Sequence, residues 1–235
     1  MEAAQLIDSI YGENIYTSFD GSGFEQDLQG WGGHQFLLKV IQELRPRLII
    51  EVGVWKGRSA LAMADKLKEL HLSTPIICID TWLGAQEHFQ TRFRPDMNRK
   101  AGWPRLYEQF LFNVIDRKHQ DIVVPLPVSS LAAAQMLRKM DVKADLIHID
   151  AGHGYLEVRS DIDAFWPLLS EDGVVVFDDY GGWAGVTRAV NEFAAEKALP
   201  LIGTHGKALI SPSLNMRFRA ELDKIEMGKW APKKG

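Results

Sequence analysis

The sequence predicts an α/β protein built on a doubly wound, mostly parallel sheet, and two observations predict it. Short continuous apolar runs alternate with segments of helical period, and glycines or acidic residues stand at the ends of those runs. Strands that are apolar throughout are buried on both faces, which calls for helices on both sides of the sheet and right-handed crossovers between parallel neighbours. Ligands of such folds bind beyond the carboxyl ends of the strands.

Strands are expected at 47–53, 75–80, 121–126, 145–150 and 173–178. Between them, 59–70, 129–140, 156–169 and 184–198 carry strong helix formers at helical spacing. After Pro200 two short runs, 201–204 and 208–211, joined by His205, Gly206 and Lys207, read as a hairpin that adds an antiparallel end and brings the sheet to seven strands. Residues 1–46 hold two expected helices, 3–10 and 33–44, around a glycine-rich loop ending Trp31-Gly32-Gly33-His34, and form an N-terminal cap. Residues 83–105 exceed an ordinary loop and carry Arg92, Arg94, Arg99, Lys100 and Arg105, as a lid or binding loop would. Residues 213–235 form a C-terminal tail, in which 217–235 mix charges and are expected to form a helix followed by a loose end. The whole chain, 1–235, then reads as one domain with its core at 47–212.

Composition narrows the function classes. A hydrophobic fraction of 46% with 25% charged residues is that of a globular chain able to build a large core. A net charge of −4 argues against general affinity for nucleic acid or anionic membrane. There is no 18-residue apolar stretch and no basic, hydrophobic leader, so a cytoplasmic protein acting on small molecules is expected. Cys78 is the sole cysteine and lies in an apolar strand, which suits a buried thiol outside any internal disulfide.

Two constellations carry chemistry. The first strand runs through Glu51, Gly53, Trp55, Gly57 and Ser59 straight into a helix. Glycines there let backbone approach a ligand, and a helix start offers unpaired N–H groups. The spacing is neither that of dinucleotide binders nor that of a Walker phosphate loop. Asp80 ends the second strand, where an acid can accept hydrogen bonds from ribose hydroxyls, so an adenosine-type ligand is expected. The second constellation is Asp150 and His153 after the fourth strand, with Asp178 and Asp179 after the fifth. If those strands are neighbours about 4.8 Å apart, the acids meet at one edge and need a cation, a shared proton or solvent between them. Taken singly, each acid also suits a turn or helix cap. His148, inside the strand, reads as a satisfied core residue rather than a ligand.

These residues together resemble the class I S-adenosylmethionine-dependent methyltransferases, in particular the metal-dependent small-molecule O-methyltransferases of the catechol and macrocin types, over about 47–212. The resemblance implies a Rossmann-like fold. It implies that Glu51, Gly53, Trp55, Gly57 and Ser59 hold the methionine end of S-adenosyl-L-methionine, that Asp80 binds the ribose, and that Ser129 and Ser130 contact the adenine, with Asp150 also bordering the cofactor. Asp150, Asp178 and Asp179 match the family's metal positions, for Mg²⁺ or another divalent cation, and His153 stands where catechol-type members carry a lysine base. A histidine there resembles the sugar-modifying branch, so the expected partner is a small-molecule hydroxyl on a sugar or natural product. An oxidative tailoring enzyme or a non-catalytic nucleoside-binding module on the same scaffold is the alternative. Trp31 and His34 are expected near the cofactor. Trp82, Phe89, Phe93, Trp103 and Tyr107 suit an apolar substrate wall, core packing or an interface in a homo-oligomer.

Overall fold

A computed structural model describes residues 2–30, 35–90, 94–204 and 206–213. Its sheet has seven strands: β1 (Ile49–Val52), β2 (Ile76–Ile79), β3 (Val123–Leu126), β4 (Ala144–Ile149), β5 (Leu169–Tyr180), β6 (Leu201–Thr204) and β7 (Gly206–Ile210). They lie in the order β3-β2-β1-β4-β5-β7-β6. The pairs from β3 to β5 are parallel, and β7 pairs antiparallel with both β5 and β6. Every residue of β1, β2, β3 and β4 is buried, the physical counterpart of their unbroken apolar runs. Strand order reverses between β1 and β4, the place where ligands of such sheets bind.

Seven α-helices surround the sheet among the described residues: α1 (Ala3–Tyr11), α2 (Gln35–Leu44), α3 (Arg58–Glu69), α4 (Leu106–Asp116), α5 (Ser130–Lys139), α6 (Tyr155–Phe165) and α7 (Ala184–Glu196). α2 packs on α3, while α5, α6 and α7 pack in series. None of the described helices is long and apolar enough to cross a membrane.

Four differences from the sequence expectations have local causes. Helix α4 went unassigned, yet Leu106, Phe110 and Val114 recur every four residues and all are buried. The helix expected over 156–169 stops at Phe165, because Pro167 supplies no N–H; one 3₁₀ turn, Trp166–Leu168, leads directly into β5. β5 is about twice its expected length and ends in a bulge between Asp178 and Tyr180. Lys207, expected in the hairpin turn, lies inside β7 opposite Asp178. The lid segment contains two 3₁₀ turns, Gln86–Phe89 and Pro95–Met97. Trp31, His34, Arg92, Phe93, His205 and the C-terminal helix and tail lie outside the described residues.

Candidate functional site

The β1–α3 turn is built by its glycines. Gly53 sits at φ 83°, and a Cβ there would stand 2.1 Å from the Asp150 carbonyl oxygen, so only glycine lets the end of β1 lie against the end of β4. Gly57, at φ 88°, precedes α3, and a Cβ would meet the Phe110 ring at 2.7 Å. No side chain caps the α3 N-terminus, and no acid lies in its first turn. Ser59 is buried there. Asp80 holds the turn from the β2 side: one carboxylate oxygen accepts from the N–H of Val54 and of Trp55, each at 2.9 Å, and the other from Trp82 N–H at 2.8 Å. Charge-assisted bonds of this kind are stronger than neutral ones, so Asp80 orders the turn in addition to bordering the crevice. The Trp55 ring stacks on His88 with centroids 4.1 Å apart, bringing the lid segment against the turn.

Residues the sequence reading passed over tie the N-terminal segment to the same turn. Lys56, almost fully buried, reaches Asp27 at 2.5 Å and Gln29 at 2.9 Å. The amide of Asn113, on α4, donates to the carbonyls of Asp27 (2.7 Å) and Lys56 (2.8 Å) and accepts from Asp27 N–H. A lysine inside a glycine turn was the only local hint of this clamp, because its partners lie up to 86 residues away.

The acid and histidine cluster forms at the adjoining ends of β4 and β5. Asp150, His153, Asp178 and Asp179 face a small crevice whose apolar side includes Ile149, Val158, Phe177 and Val186. Asp179 adopts φ 58°, uncommon for a residue with a Cβ, at the β5 bulge. Its Oδ2 meets His153 Nε2 at 2.9 Å, and the His153 ring stacks on Trp183 with centroids 4.4 Å apart. Donor atoms of Asp150, His153 and Asp179 all lie within 4.8 Å of one another, and so do those of His148, Asp150 and Asp178. Burial raises the Asp150 carboxyl well above the usual carboxylate range, and the neighbouring charge of Asp178 adds to the rise. Burial also pushes Asp178 upward, but the Lys207 ammonium, 2.8 Å away, together with His148 and the Asp179 N–H, outweighs it and leaves that carboxyl below its ordinary value. The gathering of the Asp150, Asp178 and Asp179 carboxylates at one edge fits a divalent cation, which would relieve the crowding of negative charge.

The other expected site residues also have partners within the protein. Glu51 has no exposed surface; its Oε1 pairs with His148 Nδ1 at 3.0 Å, so it lies beneath the crevice and can act on a ligand only through its neighbours. His148 is buried and bonded, as a core histidine should be. Ser129 caps α5 by accepting the Ala132 N–H, and Ser130 bonds Asp161 on α6, so both hydroxyls have structural partners at the β3 end. Trp82 is core: it donates to the Trp55 carbonyl at 2.7 Å and packs on Phe110 and Tyr107. Phe89 and Trp103 are exposed at the outer face of the lid segment.

Comparison with known proteins agrees with this architecture. A protein of Sinorhizobium fredii, the uncharacterized protein y4gI, is 26% identical over an alignment of 210 residues that covers 83% of this chain; the chain spans only 18% of that relative's length. Among solved structures, the calicheamicin methyltransferase CalS11 is 20% identical with a TM-score of 0.56, over 75% of this chain and 76% of that one. The O-methyltransferase TomG of Streptomyces achromogenes, involved in tomaymycin synthesis and solved with S-adenosylmethionine, is 17% identical with a TM-score of 0.55, over 80% of this chain and 83% of that one. The O-methyltransferase NovP is 18% identical with a TM-score of 0.53, over 75% and 76%. At these identities the likeness is one of fold. Residues 50–180, more than half of the sequence and the span that holds both the glycine turn and the acid cluster, match the methyltransferase domain, and the chain belongs to that family.

Proposed function

We propose that this protein is an S-adenosylmethionine-dependent O-methyltransferase that methylates a hydroxyl of a small molecule with the help of a divalent cation, Mg²⁺ being the expected one. The observation that carries the proposal is the contact between Gly53 and Asp150, which sets a cofactor-type glycine turn directly against a cation-type acid cluster. The cofactor brings an electrophilic methyl on a sulfonium, and the cation brings charge to stabilise an alkoxide.

The protein's own share is positioning and proton handling. The β1–α3 turn, pinned by Asp80, offers backbone to the cofactor, and Asp150 and Asp179 hold the cation one strand away. Fixing two reactants in line is worth on the order of 7–11 kcal/mol of barrier. His153 takes the hydroxyl proton, with Asp179 at 2.9 Å to compensate the charge it gains. A sugar or natural-product hydroxyl is the favoured acceptor. The histidine at position 153 supports that choice, as do two fold neighbours, the calicheamicin methyltransferase CalS11 and the tomaymycin-synthesis enzyme TomG.

The test is release of S-adenosylhomocysteine from S-adenosylmethionine against a panel of glycosides and catechols, with and without EDTA. Turnover that EDTA abolishes and Mg²⁺ restores is the expected result. Turnover indifferent to EDTA refutes the cation, and cofactor binding without turnover on any hydroxyl refutes the reaction.

A further inference from the structure

Lys207 is a buried cation on the strand that borders the acid cluster, and no expectation above gave it a role. Its side chain is 1% exposed. Antiparallel pairing of β5 with β7 sets it directly across from Asp178, and its Nζ lies 2.8 Å from Asp178 Oδ2 and 3.4 Å from His148 Nε2. His148 in turn meets Glu51, so a continuous buried chain, Glu51–His148–Lys207–Asp178, runs under the crevice across β1, β4, β7 and β5. The other Asp178 oxygen, Oδ1, accepts the Asp179 N–H at 2.9 Å. Both oxygens of Asp178 are thus engaged by the protein itself.

Asp150 and Asp179 are placed differently. Asp150 lines the crevice, and Asp179, 39% exposed, turns its Oδ2 to His153 there. A lysine ammonium beside a carboxylate already compensates its charge, and a metal sharing the same oxygen would be repelled by that ammonium. Of the three aspartates, Lys207 neutralises one and leaves two, whose combined charge equals that of a divalent cation.

We propose that Lys207 is a positioning residue that withholds Asp178 from coordination, so that the cation is held by Asp150 and Asp179 while Asp178 fixes the β5 bulge that aims Asp179. This rests on the cation of the proposed function and deepens it: the three expected metal aspartates are split into two ligands and one anchored neighbour. A two-carboxylate site suits Mg²⁺ or Mn²⁺, which keep several positions for water and for acceptor oxygens.

The experiment titrates Mn²⁺ into the full chain with S-adenosylhomocysteine present and follows the loss of the free-ion electron paramagnetic resonance signal. Asp150→Asn and Asp179→Asn should each weaken Mn²⁺ binding by about tenfold or more, the scale on which metal-site substitutions act. Asp178→Asn alone should also weaken it, because the Lys207 charge is left uncompensated beside the ion. The deciding variant is Lys207→Met/Asp178→Asn, which removes both charges and leaves no orphan; its affinity should return to within about threefold of wild type, a rescue that reads the coupling between the two sites. Lys207→Gln/Asp178→Asn, which keeps polar groups in the slot, should behave alike and guards against a packing failure in the first pair. Double variants that bind Mn²⁺ as poorly as Asp179→Asn would show Asp178 to be a ligand and overturn the proposal, as would a wild type that binds no Mn²⁺. The expected ranking without methyl transfer on any acceptor would support the split of the aspartates and refute only the proposed reaction.

Discussion

Replacing Gly53 by alanine tests whether the turn and the acid cluster are one rigid unit. The new Cβ would lie 2.1 Å from the Asp150 carbonyl oxygen, 2.5 Å from its carbonyl carbon and 2.6 Å from Ala151 Cα. All three are backbone atoms of a loop that continues a central buried strand, so none can swing aside as a side-chain tip would. Left-handed backbone costs a residue with a Cβ about 1–2 kcal/mol. Forcing extra volume into a packed contact costs roughly another 1–3 kcal/mol. The sum, about 2–5 kcal/mol, corresponds to a melting temperature lower by about 4–20 °C in a chain of this size. Relief by parting β1 from β4 would also carry the turn away from Asp150, so affinity for S-adenosylhomocysteine should fall with stability. Gly182→Ala is the control, since a Cβ there meets only the Asp179 carbonyl at 3.4 Å and φ is not left-handed. Thermal melts and calorimetric titration of both variants decide the matter. A Gly53→Ala protein as stable as the control, with unchanged S-adenosylhomocysteine affinity, would refute the close approach.

Two further outcomes follow from groups around the site. Burial pushes the Asp161 carboxyl up to about 6 against 3.8 in its ordinary state, even though Ser130 bonds it. A folded carboxyl that holds its proton more tightly contributes stability that is present below about pH 4 and lost as pH rises through about 6. Asp161→Asn should therefore gain on wild type across that window, by up to about 3 kcal/mol, then level off; a pH-independent difference in chemical-denaturation midpoints would refute it. His153→Ala should lower kcat at least about a hundredfold, the usual scale for a lost general base, with S-adenosylhomocysteine affinity nearly unchanged. Near-normal kcat in single-turnover measurements would remove His153 as the base.

Much of the scaffold was legible because it is written in local pattern. The β1, β2 and β4 runs are mostly apolar, and the segments between the strands repeat at helical spacing, so alternation alone led to the parallel sheet. The crevice was legible for the same reason, since Gly53, Asp80, Asp150 and Asp178 each stand near a strand end. Helix α4 escaped notice because a cationic, aromatic insertion precedes it and its buried face includes the polar Gln109 and Asn113. Glu51 was expected at the ligand because its neighbours in sequence belong there; strand pleating instead turns it under the sheet onto His148, 97 residues on.

The sequence by itself determined the fold class, the glycine turn and which acids gather at the sheet edge, because periodicity and chain punctuation act over a few residues. Tertiary structure alone decided how the charges are shared. Lys207 reads as a turn residue until β7 pairs with β5, and only that register sets a buried ammonium 2.8 Å from Asp178, one of the acids that line the crevice. The physical reason is that burial and Coulomb interaction depend on distance through space, and the groups that settle this site come from four different strands, each within 3.4 Å of the next.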